Sequence, residues 1–144
     1  MPGRARDTSK AAAEAAGAAG ARTDPLIGDL RRAGLLPLLV LHYVSHEPSY
    51  GNQLIDRIEA LTDGALTVNP NTMYPLLRSL EDRGLVAGEW EQPDRRSRRF
   101  YRITADGEAE RTRLAAELRP RMELIGRSIR AIRKEVLARP ADAE

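Results

Sequence analysis

The sequence contains no cysteine, which excludes a disulfide framework and a thiolate zinc site. It also lacks a membrane span, since a span needs about 18 consecutive apolar residues. The longest apolar stretch, residues 35–41, is short and is interrupted by Pro37. The alanine- and glycine-rich N-terminus has no bulky apolar segment of the kind found in signal peptides. These absences predict a cytoplasmic protein without a membrane partner.

Signatures of catalysis are missing as well. The sequence has no glycine-rich phosphate loop, no Ser/His/Asp arrangement in a plausible frame and no HExxH motif. His42 and His46 are spaced to share a helix face, but only Glu47 lies near them as a third ligand. A structural or titrating role is therefore favoured over a metal site. We expect neither an enzyme nor a cofactor-binding protein.

Positive charge is concentrated in one place. The net charge is only +2, although the sequence pI is about 9.3. One short segment nevertheless carries Arg95, Arg96, Arg98, Arg99 and Arg102, with Asp94 as the only acid among them. Such a cluster on a nearly neutral chain is typical of contact with a polyanion. The alternative is a run of charges that only meets solvent.

Residues 69–84, with the sequence NPNTMYPLLRSLEDRG, predict a DNA recognition helix. Asn69 can cap the helix, Pro70 is tolerated in the first turn and Gly84 ends it. One face is apolar, and the opposite face carries Asn71, Thr72, Tyr74, Arg78 and Asp82. Because the N-terminal turn of a recognition helix meets bases and phosphates, these small polar groups and the tyrosine suit a DNA major groove. Capping alone, or a half-buried core tyrosine, is the alternative role for these residues.

Three helices are predicted before this one. The first covers residues 25–32 behind an Asp24 cap, with Leu26, Ile27 and Leu30 buried, and Gly34 breaks it. The second, residues 35–44, is apolar nearly all round, as expected for the central helix of a core. The third covers residues 50–61 behind a Ser49 cap and forms a helix-turn-helix with the recognition helix.

A basic hairpin follows the recognition helix. Residues 86–91 and 98–103 alternate as strands do, and Pro93 and Asp94 form the turn between them. The arginines then lie at the tip and on the second strand, where they can reach phosphates or a narrow minor groove. Trp90, the only tryptophan, is interpreted as a packing residue at the root of this wing.

A final helix runs from a Thr104 cap to Arg139 and should kink at Pro120. Its apolar residues have the a/d spacing of a coiled coil: Leu118, Met122, Ile125, Ile129, Ile132 and Val136. We expect this stripe to form a homodimer interface, and packing on the domain's own core is the alternative.

The predicted fold is α+β and mostly α, a winged helix-turn-helix with a two-stranded wing and a long C-terminal dimerisation helix. Residues 1–23 are expected to be a disordered tail, since they lack large apolar side chains, with a basic DNA-binding arm as the alternative. Residues 24–104 would form the DNA-binding domain, 105–139 the dimerisation helix and 140–144 a disordered end.

Several motifs resemble the PadR family of transcriptional regulators. The matching segments occur in the family's order: Tyr50-Gly51, the run MYPLLRSLE at 73–81, Gly84-Leu85-Val86, and RFYRIT at 99–104 followed by Gly107. The resemblance implies a cytoplasmic bacterial repressor of the smaller subfamily, dimeric through its last helix, with a wing beside each recognition helix. Asn69-Pro70-Asn71 departs from the serine and glycine that members often carry there, so the operator is not implied.

The sequence therefore predicts a homodimeric repressor that binds a palindromic double-stranded DNA operator and is released by a small-molecule effector. The alternatives are a winged-helix protein-interaction module and an architectural DNA binder without an effector. The predicted DNA contacts are Tyr50, Asn71, Thr72, Tyr74, Arg78, Arg95, Arg96, Ser97, Arg98 and Arg99.

Overall fold

The computed structural model describes residues 23–94 and 97–138, and it confirms a mostly helical winged helix. The tail before Thr23, Arg95 and Arg96 in the wing, and the residues from Arg139 onward lie outside the described part. The elements in chain order are α1 (Pro25–Leu30), α2 (Leu36–His46), β1 (Ser49–Tyr50), α3 (Gly51–Leu61), α4 (Pro70–Asp82), β2 (Val86–Trp90), β3 (Arg99–Ile103) and α5 (Ala105–Leu137).

A kink separates α1 from α2. Asp24 caps α1 as predicted by accepting a hydrogen bond from the amide of Leu26. A π-helical turn, Arg31–Leu35, follows, and within it Gly34 has a φ of 114°. Only glycine adopts this conformation without strain, which explains the predicted break. The expected burial of Leu26 is wrong: this residue is 63% exposed, because α1 turns the face that carries Ile27 and Leu30 to the core.

Helix α2 is the centre of the core, as its apolar composition predicts. Val40 and Leu41 are fully buried, and Pro37 sits in the first turn, where it removes no hydrogen bond. The largest buried side chains around them come from α3, α4 and the loop between these helices: Leu54, Ile58, Leu66, Met73, Leu77 and Leu80. The loop is thus part of the core, since Leu66 has no exposed surface.

The predicted Ser49 cap of α3 is wrong. Ser49 lies in β1, where it pairs with Tyr101 of β3, and α3 begins one residue later than predicted. Its buried hydroxyl donates to the carbonyl of Glu47 at 3.0 Å and accepts from Arg57 at 2.9 Å. Gln53 instead caps the helix start by accepting the amide hydrogen of Tyr50 at 2.8 Å. Strand pairing, a long-range interaction, has overridden a local capping signal.

The wing belongs to a three-stranded antiparallel sheet with the order β1-β3-β2, rather than to a two-stranded one. In the β2–β3 register, Gly88 pairs with Tyr101 and Trp90 with Arg99, so the predicted alternation is correct. Trp90 lies at the end of β2 nearer the hairpin tip, and not at the wing root.

Helix α5 starts behind Thr104, whose hydroxyl accepts the amide hydrogen of Gly107 at 3.0 Å. Gly107 packs directly against the carbonyl oxygen of Leu85, leaving no room for a side chain. The helix continues without a break through Pro120, and its first half packs on α2. No helix in the described ranges has the length and apolarity needed to cross a membrane.

Candidate DNA-binding surface

The start of α3, the exposed side of α4 and the wing enclose a cleft of about 600 Å³. We call this space the helix–wing cleft. Its walls combine aromatic rings with charged and amide groups: Tyr50, Gly51, Asn52, Gln53, Tyr74, Arg78, Glu81, Trp90, Ser97, Arg98, Arg99 and Tyr101. Six of the predicted DNA contacts are among them, namely Tyr50, Tyr74, Arg78, Ser97, Arg98 and Arg99.

Tyr74 is held in place by α3. An ideal Cβ built on Gly51 would lie 2.6 Å from Cε1 of the Tyr74 ring, so the ring rests on the glycine backbone. The Tyr74 hydroxyl donates to Oδ1 of Asn52 at 3.2 Å, and the ring is only partly buried. Gly51 and Asn52 therefore position the tyrosine at the cleft, and sequence reasoning did not identify Asn52.

The first turn of α4 is ordered by its own cap. Oδ1 of Asn69 accepts the amide hydrogen of Thr72 at 3.1 Å. Asn71 is exposed and Thr72 partly buried, and neither side chain has a hydrogen-bond partner among the described residues. Both side chains are available to an external ligand.

Among the described residues of this surface, Arg78 is the cation without an acidic partner. It lies one turn after Tyr74 on the exposed side of α4, and no acidic group in the described ranges pairs with it. An arginine in this state keeps its full charge and its planar set of donors for a phosphate.

The described wing arginines differ from Arg78 because each is paired within the chain. Arg98 makes a two-point contact with Glu91, at 3.2 Å and 3.0 Å, and stacks 4.1 Å from the ring centre of Tyr50. The Tyr50 hydroxyl also donates to Glu91, at 3.1 Å. Hydrogen bonds from Arg98 hold the pKa of Glu91 below its usual value, so this carboxylate stays charged.

The side chain of Arg99 is more buried than that of Arg98. Its Nη2 donates to Oε2 of Glu81 on α4 at 2.6 Å, and its guanidinium lies over the rings of Trp90 and Tyr101, at 5.1 Å and 5.7 Å. Arg102 pairs across the wing with Glu89 at 2.5 Å. The cluster expected to meet a polyanion is thus partly neutralised by glutamates that neighbour it only in the folded chain.

Ser97 has a structural role at the wing tip. Its hydroxyl accepts the amide hydrogen of Gln92 at 2.8 Å and lies 3.3 Å from the Gln92 carbonyl. These contacts close the hairpin on either side of Arg95 and Arg96, the two predicted contacts that lie outside the described residues.

The apolar stripe of α5 divides into two parts. Leu118 is only 3% exposed and belongs to the domain core, whereas Met122 is 41% and Val136 66% exposed. Ile129 and Ile132 are also exposed, and Ile125 is partly buried. Leu118 therefore stabilises its own domain, and the stripe beyond it presents an apolar surface.

The two histidines form a pair on α2. Their ring centres are 4.5 Å apart, and no group of three or more metal-binding side chains occurs in the described ranges. Burial, followed by the charges of His46 and Arg111, lowers the pKa of His42. Two nitrogens alone make an incomplete metal site.

Comparison with known proteins identifies regulators of transcription. The model of the transcriptional regulator PadR-like family matches residues 40–113, about half of the 144-residue chain. Transcriptional regulator Rv3488 of Mycobacterium tuberculosis is 37% identical over 75 residues, which are 52% of this chain and 67% of that protein. Transcriptional regulator YqjI of Escherichia coli is 40% identical over 53 residues, 37% of this chain, but the match spans only 26% of YqjI.

Solved structures agree with the sequence comparisons. The crystal structure of a PadR family transcriptional regulator from Eggerthella lenta superposes with a TM-score of 0.56 at 33% identity. That match covers 72% of this chain and 88% of the other.

Proposed function

The chain belongs to the PadR-like family of transcriptional regulators, and from this premise we propose that it is a homodimeric repressor that binds a palindromic operator and is released by a small-molecule effector. Regulators of this family are DNA-binding proteins and not enzymes. The proposal places the protein in the cytoplasm with its DNA.

The observation that carries the DNA-binding proposal is the composition of the exposed face of α4. Asn71 and Thr72 have uncommitted side chains in the first turn, and Arg78 is an unpaired cation one turn beyond Tyr74. Side-chain amides and hydroxyls read base edges in the major groove, while an arginine also anchors phosphates. We assign base reading to the first turn of α4 and phosphate anchoring to Arg78 and the wing.

The proposal of a symmetric dimer rests on the stripe of α5. Its residues from Met122 to Val136 would leave a continuous apolar strip in water if the chain stayed monomeric. A two-fold pair of chains would cover the strip and would place two recognition helices on the two halves of a palindrome. Release by a small-molecule effector is the part of the proposal that no contact in the described ranges carries. The described residues identify no effector site.

The test is selection of DNA from a randomised duplex pool by the intact protein, followed by footprinting on the enriched sequence and sedimentation to determine the assembly. We expect an inverted repeat, protection of both halves and a dimer. Arg78→Ala should reduce the slope of log affinity against log salt by about 0.9 per chain bound. Arg127→Ala is the matched control, since Arg127 is an exposed arginine of α5 outside the cleft.

The alternatives predict different results. An architectural DNA binder would retain DNA without enriching a repeat, and its affinity would be similar on every duplex. A protein-interaction module would bind neither selected nor random DNA at low salt. Either result would refute the repressor proposal, whereas equal slopes for the two arginine variants would refute only the role given to Arg78.

A further inference from the structure

One glutamate of the recognition helix is bonded to both strands of the wing. Glu81 lies in the last turn of α4, and its Oε2 accepts from Nη2 of Arg99 on β3 at 2.6 Å. The same oxygen accepts the amide hydrogen of Gly88 on β2 at 3.3 Å. The side chain of Arg99 is 27% exposed and that of Glu81 is 33% exposed, so water screens this ion pair less than a fully exposed one.

Gly88 makes this contact sterically possible. A Cβ built on Gly88 would collide with the guanidinium of Arg99 and lie 2.9 Å from Cε1 of Tyr101. Arg99 therefore crosses β2 over a residue without a side chain to reach α4. The guanidinium lies over the rings of Trp90 and Tyr101, which help to hold it on this path.

We propose that Glu81 is a positioning residue that fixes the wing relative to the recognition helix, so that DNA specificity depends on a side chain that does not itself contact DNA. We call Glu81, Gly88 and Arg99 the helix–wing latch. This inference rests on the proposed function. The latch also removes Arg99 from the set of phosphate anchors, since its charge is already satisfied.

Specificity depends on the latch because a specific complex requires α4 and the wing to contact the DNA at the same time, at a fixed distance from each other. When the first turn of α4 is seated on the correct bases, the wing must meet the phosphates at a fixed distance from it. A wing that is already fixed in the free protein loses no conformational entropy on binding, whereas a loosened wing does, and this loss weakens the specific complex. Non-specific DNA imposes no register, so its affinity should depend little on the latch.

The experiment compares Glu81→Gln and Gly88→Ala with Glu89→Gln. The control removes the same charge and breaks an Arg–Glu pair of the wing, with Arg102, that does not reach α4. Gly88→Ala displaces Arg99 without changing any charge. The probes are a duplex that the intact protein selects from a randomised pool and a scrambled duplex of equal composition.

We expect the ratio of selected to scrambled affinity to fall roughly fivefold or more in both latch variants. The ratio should be unchanged in Glu89→Gln, since the added positive charge strengthens binding to both duplexes alike. Unchanged ratios in both latch variants would overturn the proposal. A lower melting temperature with an unchanged ratio would also overturn it, because the latch would then only stabilise the fold.

Amide hydrogen exchange without DNA separates this inference from the proposed function. In Glu81→Gln, the amides of β2 and especially that of Gly88 should exchange faster than in Glu89→Gln, while those of α4 should not. If the intact protein prefers no duplex, the regulator proposal fails, and exchange alone decides whether Glu81 holds the wing. Equal wing exchange in the two variants would refute the latch.

Discussion

Replacing Gly51 with alanine should destabilise the protein and weaken its binding to DNA, because the new methyl group would collide with the ring of Tyr74. The Cβ would lie 2.6 Å, 2.8 Å and 2.9 Å from Cε1, Cζ and the hydroxyl oxygen of that ring. Forcing a methyl group into a packed site costs about 1–3 kcal/mol, whereas removing a glycine from a helix gains at most about 1 kcal/mol. Gly51 is the first residue of α3, where that gain is small. The net loss should therefore be about 1–2 kcal/mol, which lowers the melting temperature by several degrees.

A double-mutant cycle with Tyr74→Leu shows whether the ring is the cause. The free energy of unfolding is measured by urea denaturation at one fixed protein concentration. Gly51→Ala should destabilise the protein when Tyr74 is present and much less when Tyr74 has been replaced. The coupling energy between the two substitutions should be about 1 kcal/mol or more. Gly28→Ala is the control, since a Cβ there would be 3.8 Å from its nearest neighbour. If the two single changes add without coupling, or if Gly51→Ala is as stable as the intact protein, the proposed packing of Tyr74 on α3 is wrong.

Three further predictions concern the rest of the chain. Gly107→Ala should lower the free energy of unfolding by about 2–3 kcal/mol, because its Cβ would meet a backbone carbonyl that cannot move aside. Gly126→Ala, where a Cβ has room, should be neutral or stabilising in the same thermal unfolding experiment. The pKa of His42 is lower in the folded chain than in the unfolded chain, so the unfolded chain binds a proton more readily as the pH falls. The free energy of unfolding should therefore decrease as the pH drops below about 6.5. His42→Gln should reduce this fall between pH 7.5 and 5.5, and an identical pH dependence would refute it. Ile129→Asp should yield monomer in sedimentation while Ser128→Asp stays dimeric, and an intact dimer in both would refute the α5 interface.

Local signals in the sequence located most elements because the groups involved are close along the chain. The caps predicted at Asp24, Asn69 and Thr104 all accept the expected amide hydrogens. The prediction failed at Ser49, which has the same chemistry, because β1 pairs with a strand about fifty residues away. A capping residue can be recognised from its immediate neighbours, whereas a two-residue strand depends on a partner that the local sequence does not specify.

The candidate site was less predictable than the fold for the same reason. The positions of Tyr74 and Arg78 follow from helical spacing, and the structure places both on the helix–wing cleft. Their surroundings depend on tertiary packing: Asn52 comes from another helix, and Glu81 meets Arg99 only because the wing folds back on α4. Glycines at 51 and 88 gave the one usable signal, since glycine at the start of a helix or inside a strand often marks a close approach of other groups.

The pairing of the wing arginines changes how the protein's charge should be interpreted. In the linear sequence these arginines form a basic cluster, but in the folded chain Arg98, Arg99 and Arg102 each lie within 3.0 Å of a glutamate oxygen. A paired arginine releases few counterions on binding, so it adds little to the affinity that all DNA sequences share. Under the proposed function, Asn71 and Thr72 of α4 would then supply a larger part of the binding free energy, and their contribution would depend on the bases they meet. For the proposed DNA complex, the pairing of the described wing arginines with glutamates of the wing and of α4 would therefore favour discrimination between DNA sequences over tight binding to any one of them, because it would weaken the competing non-specific complexes more than the specific one.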